Sequence, residues 1–195
     1  SLDESLGKFI EAHTPVVLTY IECRPEYDLD SLFQVVGQMS RRMPGLGLIV
    51  VGATGGREEI KALATMSGLA DCCLHLGAVD HGVFLSLLRR VSVYLRSART
   101  EGTSASIREA LHFGVPVVAN VAEAHPEGVA TYPWGVPIAM FETLERALTR
   151  RDSDEEKVQP ERALLDVADT VTDEVELLVR CALGQSPRCC SSCQE

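Results

Sequence analysis

The chain has 195 residues, of which 46% are hydrophobic, and this is enough for one substantial core. Its formal net charge of −10 argues against nucleic acid as a partner, because a surface that binds phosphates along a backbone needs clustered lysine and arginine. No apolar run approaches the roughly 20 residues of a membrane-spanning helix, and residues 1–9 lack the basic and apolar regions of a secretory signal. We therefore expect one soluble, cytoplasmic α/β domain with appendages.

Short runs of β-branched residues alternate along the chain with longer segments of helical period, an order typical of parallel β-α-β units. The predicted strands cover residues 15–21, 46–52, 72–79, 91–97 and 115–119. The predicted helices between them cover residues 28–43, 58–70, 82–90 and 103–113. Together they predict a Rossmann-like, doubly wound parallel sheet. Ligands of such sheets bind at the carboxyl ends of the strands, so we expect the site in the loops that follow them.

The pattern after residue 119 predicts a further helix within residues 138–151, which completes a Rossmann-like lobe of residues 1–151. An acidic linker at 152–159 and a C-terminal helix at 160–184 follow. The last segment, 185–195, is predicted to be a disordered, cysteine-rich tail.

The seven cysteines fall into groups with different interpretations. Cys72 and Cys73 lie in an apolar run and are interpreted as reduced core residues. The tail carries one C-x-x-C motif, at Cys190 and Cys193, but a structural zinc site needs four ligands and no second pair has a matching spacing. We therefore interpret the tail as free thiols and predict no metal site.

The segment 100–119, TEGTSASIREALHFGVPVVA, places two glutamates around small polar residues that open a helix. One interpretation is a capping box, in which Ser106 and Glu109 satisfy the free N–H groups of the first turn. That interpretation leaves barely two helical turns before Gly114, which is suited to terminate the helix. A start at residue 103 or 104 gives a helix of ordinary length, so we favour the earlier start, which puts Glu109 inside the helix.

With that start, the backbone N–H groups of residues 102–105 lie at a helix N-terminus without bulky side chains over them, which suits a phosphate or diphosphate. Glu101 precedes this turn and Glu109 follows it. A carboxylate beside a phosphate site is suited to accepting hydrogen bonds from hydroxyl groups, because its charge repels the phosphate itself. We interpret both glutamates as contacts for sugar hydroxyls on either side of a diphosphate. The alternative is that both are solvated helix carboxylates.

The two glutamates, with seven residues between them, and the GVPVVA that follows resemble the E-x(7)-E signature of family-four retaining glycosyltransferases, in the C-terminal domain of the GT-B fold. The resemblance extends from about Pro15 to Leu148, because GLGLIVVG, HLGAV and VSVYLRS follow in the order of that family. The signature is fairly specific, whereas the other segments alone are common in Rossmann-like proteins. The resemblance implies a lobe that binds a UDP-sugar, a GDP-sugar or a similar donor and needs no metal or other cofactor.

The resemblance also implies roles for single residues at the two ends of the donor. Glu109 would accept hydrogen bonds from the ribose hydroxyls, and Glu101 would contact the transferred sugar as a catalytic residue. The nucleobase would rest near Gly77, Ala78 and Val79, in the loop after the third strand.

The diphosphate would lie between these ends, held by the backbone N–H groups of Gly102, Thr103, Ser104 and Ala105 and by two hydroxyl groups among them. The acceptor, which is a glycan, a lipid or a small molecule, would be held by an N-terminal lobe that is missing here. Any peripheral membrane association would go through that lobe. We therefore expect the chain alone to bind a nucleotide-diphosphate sugar without transferring it.

The loop after the first strand, IECRPEYDLD, departs from the family pattern. Glu22 and Tyr27 occupy the positions where the family usually places an arginine and a lysine aimed at the diphosphate. Arg24 is the cation that remains in this loop, and we predict that it stabilises the charge of the leaving group. The arginines that could assist from other loops are Arg96, Arg99 and Arg108. Because this clamp is altered, the alternative to an enzyme is a catalytically silent, glycosyltransferase-like binding module.

The histidines and the tryptophan carry weaker signals. His75, His81, His112 and His125 have no second ligand at a spacing typical of zinc sites, so we assign them no role. Trp134 is interpreted as a packing residue in a surface loop.

Overall fold

The computed structural model describes residues 4–99, 104–121 and 125–153, with only the backbone described for 150–153. Its helices are α1 (Glu4–Ala12), α2 (Leu29–Arg42), α3 (Arg57–Met66), α4 (His81–Leu88), α5 (Ala105–His112) and α6 (Pro137–Ser153). Its strands are β1 (Val16–Ile21), β2 (Gly47–Gly52), β3 (Cys73–Gly77), β4 (Val93–Arg96), β5 (Val117–Asn120) and β6 (Val129–Tyr132). A short 3-10 helix at Pro25–Tyr27 precedes α2.

The six strands in the described ranges form one parallel sheet in the order β3-β2-β1-β4-β5-β6. β1 pairs with β2 along its whole length, beginning with Val16 opposite Gly47. The strand order reverses between β1 and β4, which pair side by side near the middle of the sheet. This is the order of a Rossmann-like, doubly wound fold, so the predicted fold class is confirmed.

Both faces of the sheet are buried, which explains why its inner strands are continuously apolar in the sequence. Val17 and Ile21 of β1 belong to the core on the side of α2, α3 and α6. Val16 and Leu18 belong to the core on the side of α1, α4 and α5. The period of two along a strand therefore sends alternate side chains into two separate cores.

The sequence patterns did not predict α1 or β6. In α1, only Leu6 is buried, while Phe9 and Ile10 pack partly buried against the same core. In β6, Ala130 and Thr131 are exposed and only Tyr132 is buried, because the strand lies at the edge of the sheet. Both elements are short, and their positions depend on packing against the rest of the fold.

The helix predicted at 138–151 is present as α6, which extends to Ser153. The remainder of the predicted linker, the helix at 160–184 and the cysteine-rich tail lie outside the described residues. Their assignment stays a prediction. No helix in the described part of the chain is long and apolar enough to cross a lipid bilayer.

Cys72 and Cys73 are free thiols that pack, half-buried, against the core on the α2 side. Burial, with a smaller contribution from the neighbouring Cys72, raises the pKa of the Cys73 thiol to about 12. A thiol with that pKa stays protonated at neutral pH and behaves as a small apolar side chain. The packing role predicted for these two cysteines agrees with this placement.

Leu144 anchors α6 to the core and is fully buried there. We expect Leu144→Ala to lower the free energy of unfolding by about 2–5 kcal/mol, because it removes apolar contacts and leaves a cavity. The matched variant Glu145→Ala removes a 2.6 Å surface ion pair with Arg42 and should cost at most ~1 kcal/mol. Urea unfolding measures both, and equal losses would contradict the described packing of α6.

Candidate functional site

A cleft of about 460 Å³ opens at the carboxyl ends of β1, β2 and β4, beside the point where the strand order reverses. Its floor comes from the strand ends and its walls come from the beginnings of α4 and α5. The lining residues are Tyr20, Glu22, Val51, Gly52, Thr54, Ala78, Val79, His81, Phe84, Arg96, Ser104, Ala105, Ser106 and Glu109. The cleft thus lies at the edge of the sheet where ligands of doubly wound folds bind.

Helix α5 begins at Ala105, with Ser104 in an extended conformation as its N-cap residue. The capping-box interpretation is therefore rejected, because the helix begins before Ser106 and carries Glu109 in its second turn. The Ser104 side chain makes no capping hydrogen bond to the first N–H groups of α5. Gly114 ends the helix as predicted, with a φ of 68° just after the C-cap residue.

A chain of hydroxyl groups fixes this helix start to the sheet. The Tyr94 hydroxyl on β4 donates to the Ser106 Oγ at 2.9 Å. The Ser106 and Ser104 hydroxyls lie 2.9 Å apart, and either can be the donor. Tyr94 is fully buried, so the position of the α5 start relative to β4 is set from inside the core.

Glu109 faces the cleft and contacts His81, a residue to which the sequence analysis assigned no role. Its Oε1 lies 2.7 Å from Nε2 of His81, the first residue of α4. The side chain of His81 is 69% exposed and that of Glu109 is 25% exposed, so the pair lies at the mouth of the cleft. The two residues are 28 positions apart along the chain, a separation that carries no local sequence signal.

The carboxylate of Glu22 lies in the same cleft. Its Oε1 accepts a hydrogen bond from the Tyr20 hydroxyl at 3.1 Å. Burial, followed by the hydrogen bond and charge of Glu22, raises the pKa of the Tyr20 phenol. The phenol therefore stays protonated at neutral pH and continues to donate to Glu22.

Arg96 ends β4 and lines the cleft, although the residue as a whole is only 7% exposed. Its Nη1 donates to the backbone carbonyl of Tyr20. Its guanidinium carbon also lies 5.1 Å from the ring centroid of Tyr20 and 5.2 Å from that of Tyr27. Contacts with aromatic rings and a carbonyl offset part of the cost of burying this cation.

The other arginines named from the sequence lie elsewhere. Arg24 lines a separate pocket together with Asp28, Asp30 and Glu59 and is not among the described residues that line the main cleft. Arg99 is exposed, and its guanidinium carbon lies 4.8 Å from the ring centroid of Trp134. The structure therefore brings Arg96, rather than Arg24, into one cavity with Glu109.

Arg108, on α5, is exposed to solvent.

The predicted donor contacts are only partly within the described residues. Ser104 and Ala105 line the cleft, while Glu101, Gly102 and Thr103 fall in the segment that the structure does not describe.

Among the residues predicted to contact the base, Ala78 and Val79 line the cleft and Gly77 precedes them at the end of β3. No group of three potential metal ligands occurs within residues 4–99, 104–121 and 125–153.

Comparison with known proteins identifies a family that matches this chain and solved structures that are similar to it. The model of the family described as glycosyl transferases group 1 matches residues 7–157. The chain is similar to the C-terminal domain of a glycosyl transferase group 1 family protein from Francisella tularensis, with 14% identity, a TM-score of 0.64 and coverage of 77% of this chain and 85% of that one. It is also similar to sucrose-phosphate synthase from Thermosynechococcus elongatus, with 20% identity, a TM-score of 0.68 and coverage of 88% and 46%.

A third similar structure is the pneumococcal O-GlcNAc transferase GtfA in complex with UDP and GlcNAc, with 16% identity, a TM-score of 0.58 and coverage of 85% of this chain and 37% of that one. No curated protein sequence matches the chain. At these identities the solved structures support the fold. The chain spans less than half the length of the synthase and of the O-GlcNAc transferase.

The hydroxyl chain at the start of α5 can be tested with two buried tyrosines. We expect Tyr94→Phe to lower the free energy of unfolding by about 0.5–1.5 kcal/mol, because the Ser106 hydroxyl loses its donor. Tyr132→Phe is the matched control, because the buried Tyr132 hydroxyl has no hydrogen-bond partner within the described chain. Its removal should leave the free energy of unfolding unchanged or raise it. Urea unfolding of both variants gives the comparison, and an equal loss at the two positions would contradict the described network.

Proposed function

The chain belongs to the glycosyl transferases group 1, and we propose that its lobe binds the nucleotide-diphosphate sugar donor of a retaining glycosyltransferase with a GT-B fold. The observation that carries the proposal is the cleft lined by both the start of α5, where Ser104 makes no capping hydrogen bond, and the Glu109 side chain. A helix N-terminus attracts phosphate oxygens, and a carboxylate accepts hydrogen bonds from a ribose diol. These two groups match the two polar parts of a nucleoside diphosphate.

The spacing along α5 supports this assignment. The helix rises about 1.5 Å per residue, so the backbone of Glu109 lies roughly 6 Å along the axis from that of Ala105. The diphosphate would bind the first turn at Ser104 and Ala105, together with the neighbouring Gly102 and Thr103. The ribose would then bind one turn further along, where its hydroxyls reach Glu109.

The remaining wall of the cleft suits a nucleobase. Ala78 and Val79 follow β3 and line the cavity beside His81. Small apolar side chains suit the face of an aromatic base, which packs on them without burying a polar group of the protein. We therefore assign the base to this end, and Glu101 stays the predicted contact of the transferred sugar.

In this proposal, sugar transfer requires a second lobe in addition to the one described. The acceptor, a glycan, a lipid or a small molecule, would bind a second, N-terminal lobe. Two of the similar structures, which are more than twice as long as the aligned region, support such an arrangement. A cytoplasmic location and peripheral membrane contact through that second lobe are part of the same proposal.

The position of Glu22 favours an alternative, a silent module that binds a ligand without catalysing transfer. Its carboxylate lies in the same cleft as the start of α5. A negative charge there opposes the charge that develops on a departing diphosphate. The lobe could then bind a nucleotide while giving little help to the leaving group.

The cation that offsets this charge has two candidates. The sequence predicts Arg24, whereas Arg96 is the arginine that lines the described part of the cleft. Preorganised cations act most strongly where water is excluded, and Arg96 is held in place by Tyr20 and Tyr27. We infer that Arg96 contributes to binding the diphosphate, while a role of Arg24 stays a prediction.

The donor-site proposal predicts that the chain binds UDP or GDP in calorimetry but transfers no sugar by itself. Glu109→Ala should weaken nucleotide binding about tenfold to a hundredfold, because hydrogen bonds to a charged group contribute roughly 1.5–3 kcal/mol. Glu142→Ala, at an exposed position on α6, is the matched control and should bind normally. An unchanged affinity in folded Glu109→Ala would overturn the ribose assignment.

Transfer assays separate the enzyme from the silent module. Sugar transfer by this chain alone would contradict the need for a second lobe. A two-lobe protein that binds nucleotide but is inert with every donor would favour the silent module.

The two candidate cations can be distinguished by comparing UDP with uridine. We expect Arg96→Gln to weaken UDP binding about tenfold to a hundredfold, through loss of a charged partner, and to change uridine binding much less. Arg24→Gln is the matched variant and removes the same charge from the neighbouring pocket. A UDP-selective loss in Arg24→Gln alone would assign the role to Arg24 as predicted from the sequence, and no loss in either would exclude both.

A further inference from the structure

The contact between His81 and Glu109 joins the two helices that form the walls of the cleft. His81 is the first residue of α4, and Glu109 is in the second turn of α5. Their side chains meet at 2.7 Å between Nε2 and Oε1. Exposed pairs of this kind contribute little to folding stability, since ordering two side chains costs entropy. The contact is therefore better explained by an effect on the cleft than by a need of the fold.

The geometry leaves the Glu109 carboxylate able to bind a ligand while it contacts His81. An ionised carboxylate accepts hydrogen bonds on both oxygens and donates none, so Nε2 of His81 carries the proton in this contact. The contact uses Oε1. Oε2 and a further lone pair of Oε1 remain as acceptors for two neighbouring hydroxyl groups.

A free glutamate side chain samples many rotamers, and a ligand that binds it must select one of them. Ordering one flexible side chain on binding costs about 0.5–1.5 kcal/mol, which corresponds to roughly threefold to tenfold in affinity. The imidazole of His81 has fewer rotatable bonds and lies on a helix terminus of fixed backbone. His81 can therefore meet this cost before the ligand arrives.

We propose that His81 is a positioning residue that holds the Glu109 carboxylate in the orientation that binds a ribose diol. This inference rests on the proposed function of the cleft, and it adds a residue of α4 to the ribose site. His81 acts through Glu109, so its effect depends on both the carboxylate and the diol. A structural role of His81 would instead change the binding of all ligands alike.

The test measures calorimetric affinities of the full chain for UDP and for 2′,3′-dideoxy-UDP. His81→Ala should weaken UDP binding about threefold to tenfold and leave dideoxy-UDP binding unchanged, because the latter lacks the diol. His81→Gln retains an N–H donor at a similar reach and should recover most of the UDP affinity. In a Glu109→Ala background, His81→Ala should have no further effect on UDP.

An unchanged UDP affinity in His81→Ala would overturn the proposal, and so would the following outcomes. Tighter UDP binding by His81→Ala would show that His81 competes with the ribose for Glu109 and would overturn the proposal. Equal weakening of both nucleotides, or additive effects of the two substitutions, would assign His81 a structural role and also overturn it. If the unsubstituted chain binds neither UDP nor GDP, the donor-site proposal fails first and this inference fails with it.

Discussion

The divergence of the backbone at the ends of β1 and β4 is the constraint on which the cleft depends. The chain leaves β1 toward α2, on one face of the sheet, and leaves β4 toward α5, on the other. Right-handed crossovers on the two sides of a strand-order reversal have to go to opposite faces, and this opens a crevice between them. The start of α5 lines this crevice. Topology thus brings a helix N-terminus to the cleft, and side chains from several elements complete its lining.

The electrostatics of the cleft differ from those of a simple phosphate site. Glu22 and Glu109 bring two carboxylates to the lining, and Arg96 brings a guanidinium that is almost fully buried. A cation surrounded by protein interacts more strongly with an anion than an exposed one does, because water screens it less. Its burial is tolerated since aromatic rings and a carbonyl replace part of its hydration. Under the proposed function, the balance between these charges would decide whether the lobe favours a departing diphosphate or only a bound one.

The walls of the cleft are connected through two polar networks of different kinds. The hydroxyls of Tyr94 and Ser106 tie the start of α5 to β4 from within the core. The contact of His81 with Glu109 joins α4 to α5 at the mouth of the cleft. The buried network ties the start of the helix to the sheet, whereas the exposed contact joins two side chains at the cleft mouth. In the proposal made above, the second contact holds Glu109 ready for a ligand.

The amino-acid sequence by itself determined the parallel α/β fold, the strands β1 to β5 and the start and end of α5. These depend on local properties, namely the period of apolar residues and the conformations that Ser104 and Gly114 allow. Only the tertiary structure revealed β6, which is half-exposed and acquires its pairing from β5. It also decided that Arg96 lines the cleft and that His81 reaches Glu109. Those arrangements join residues that are distant in the chain. Their side chains meet because several helices and strands pack together, and a local sequence pattern carries no information about such contacts.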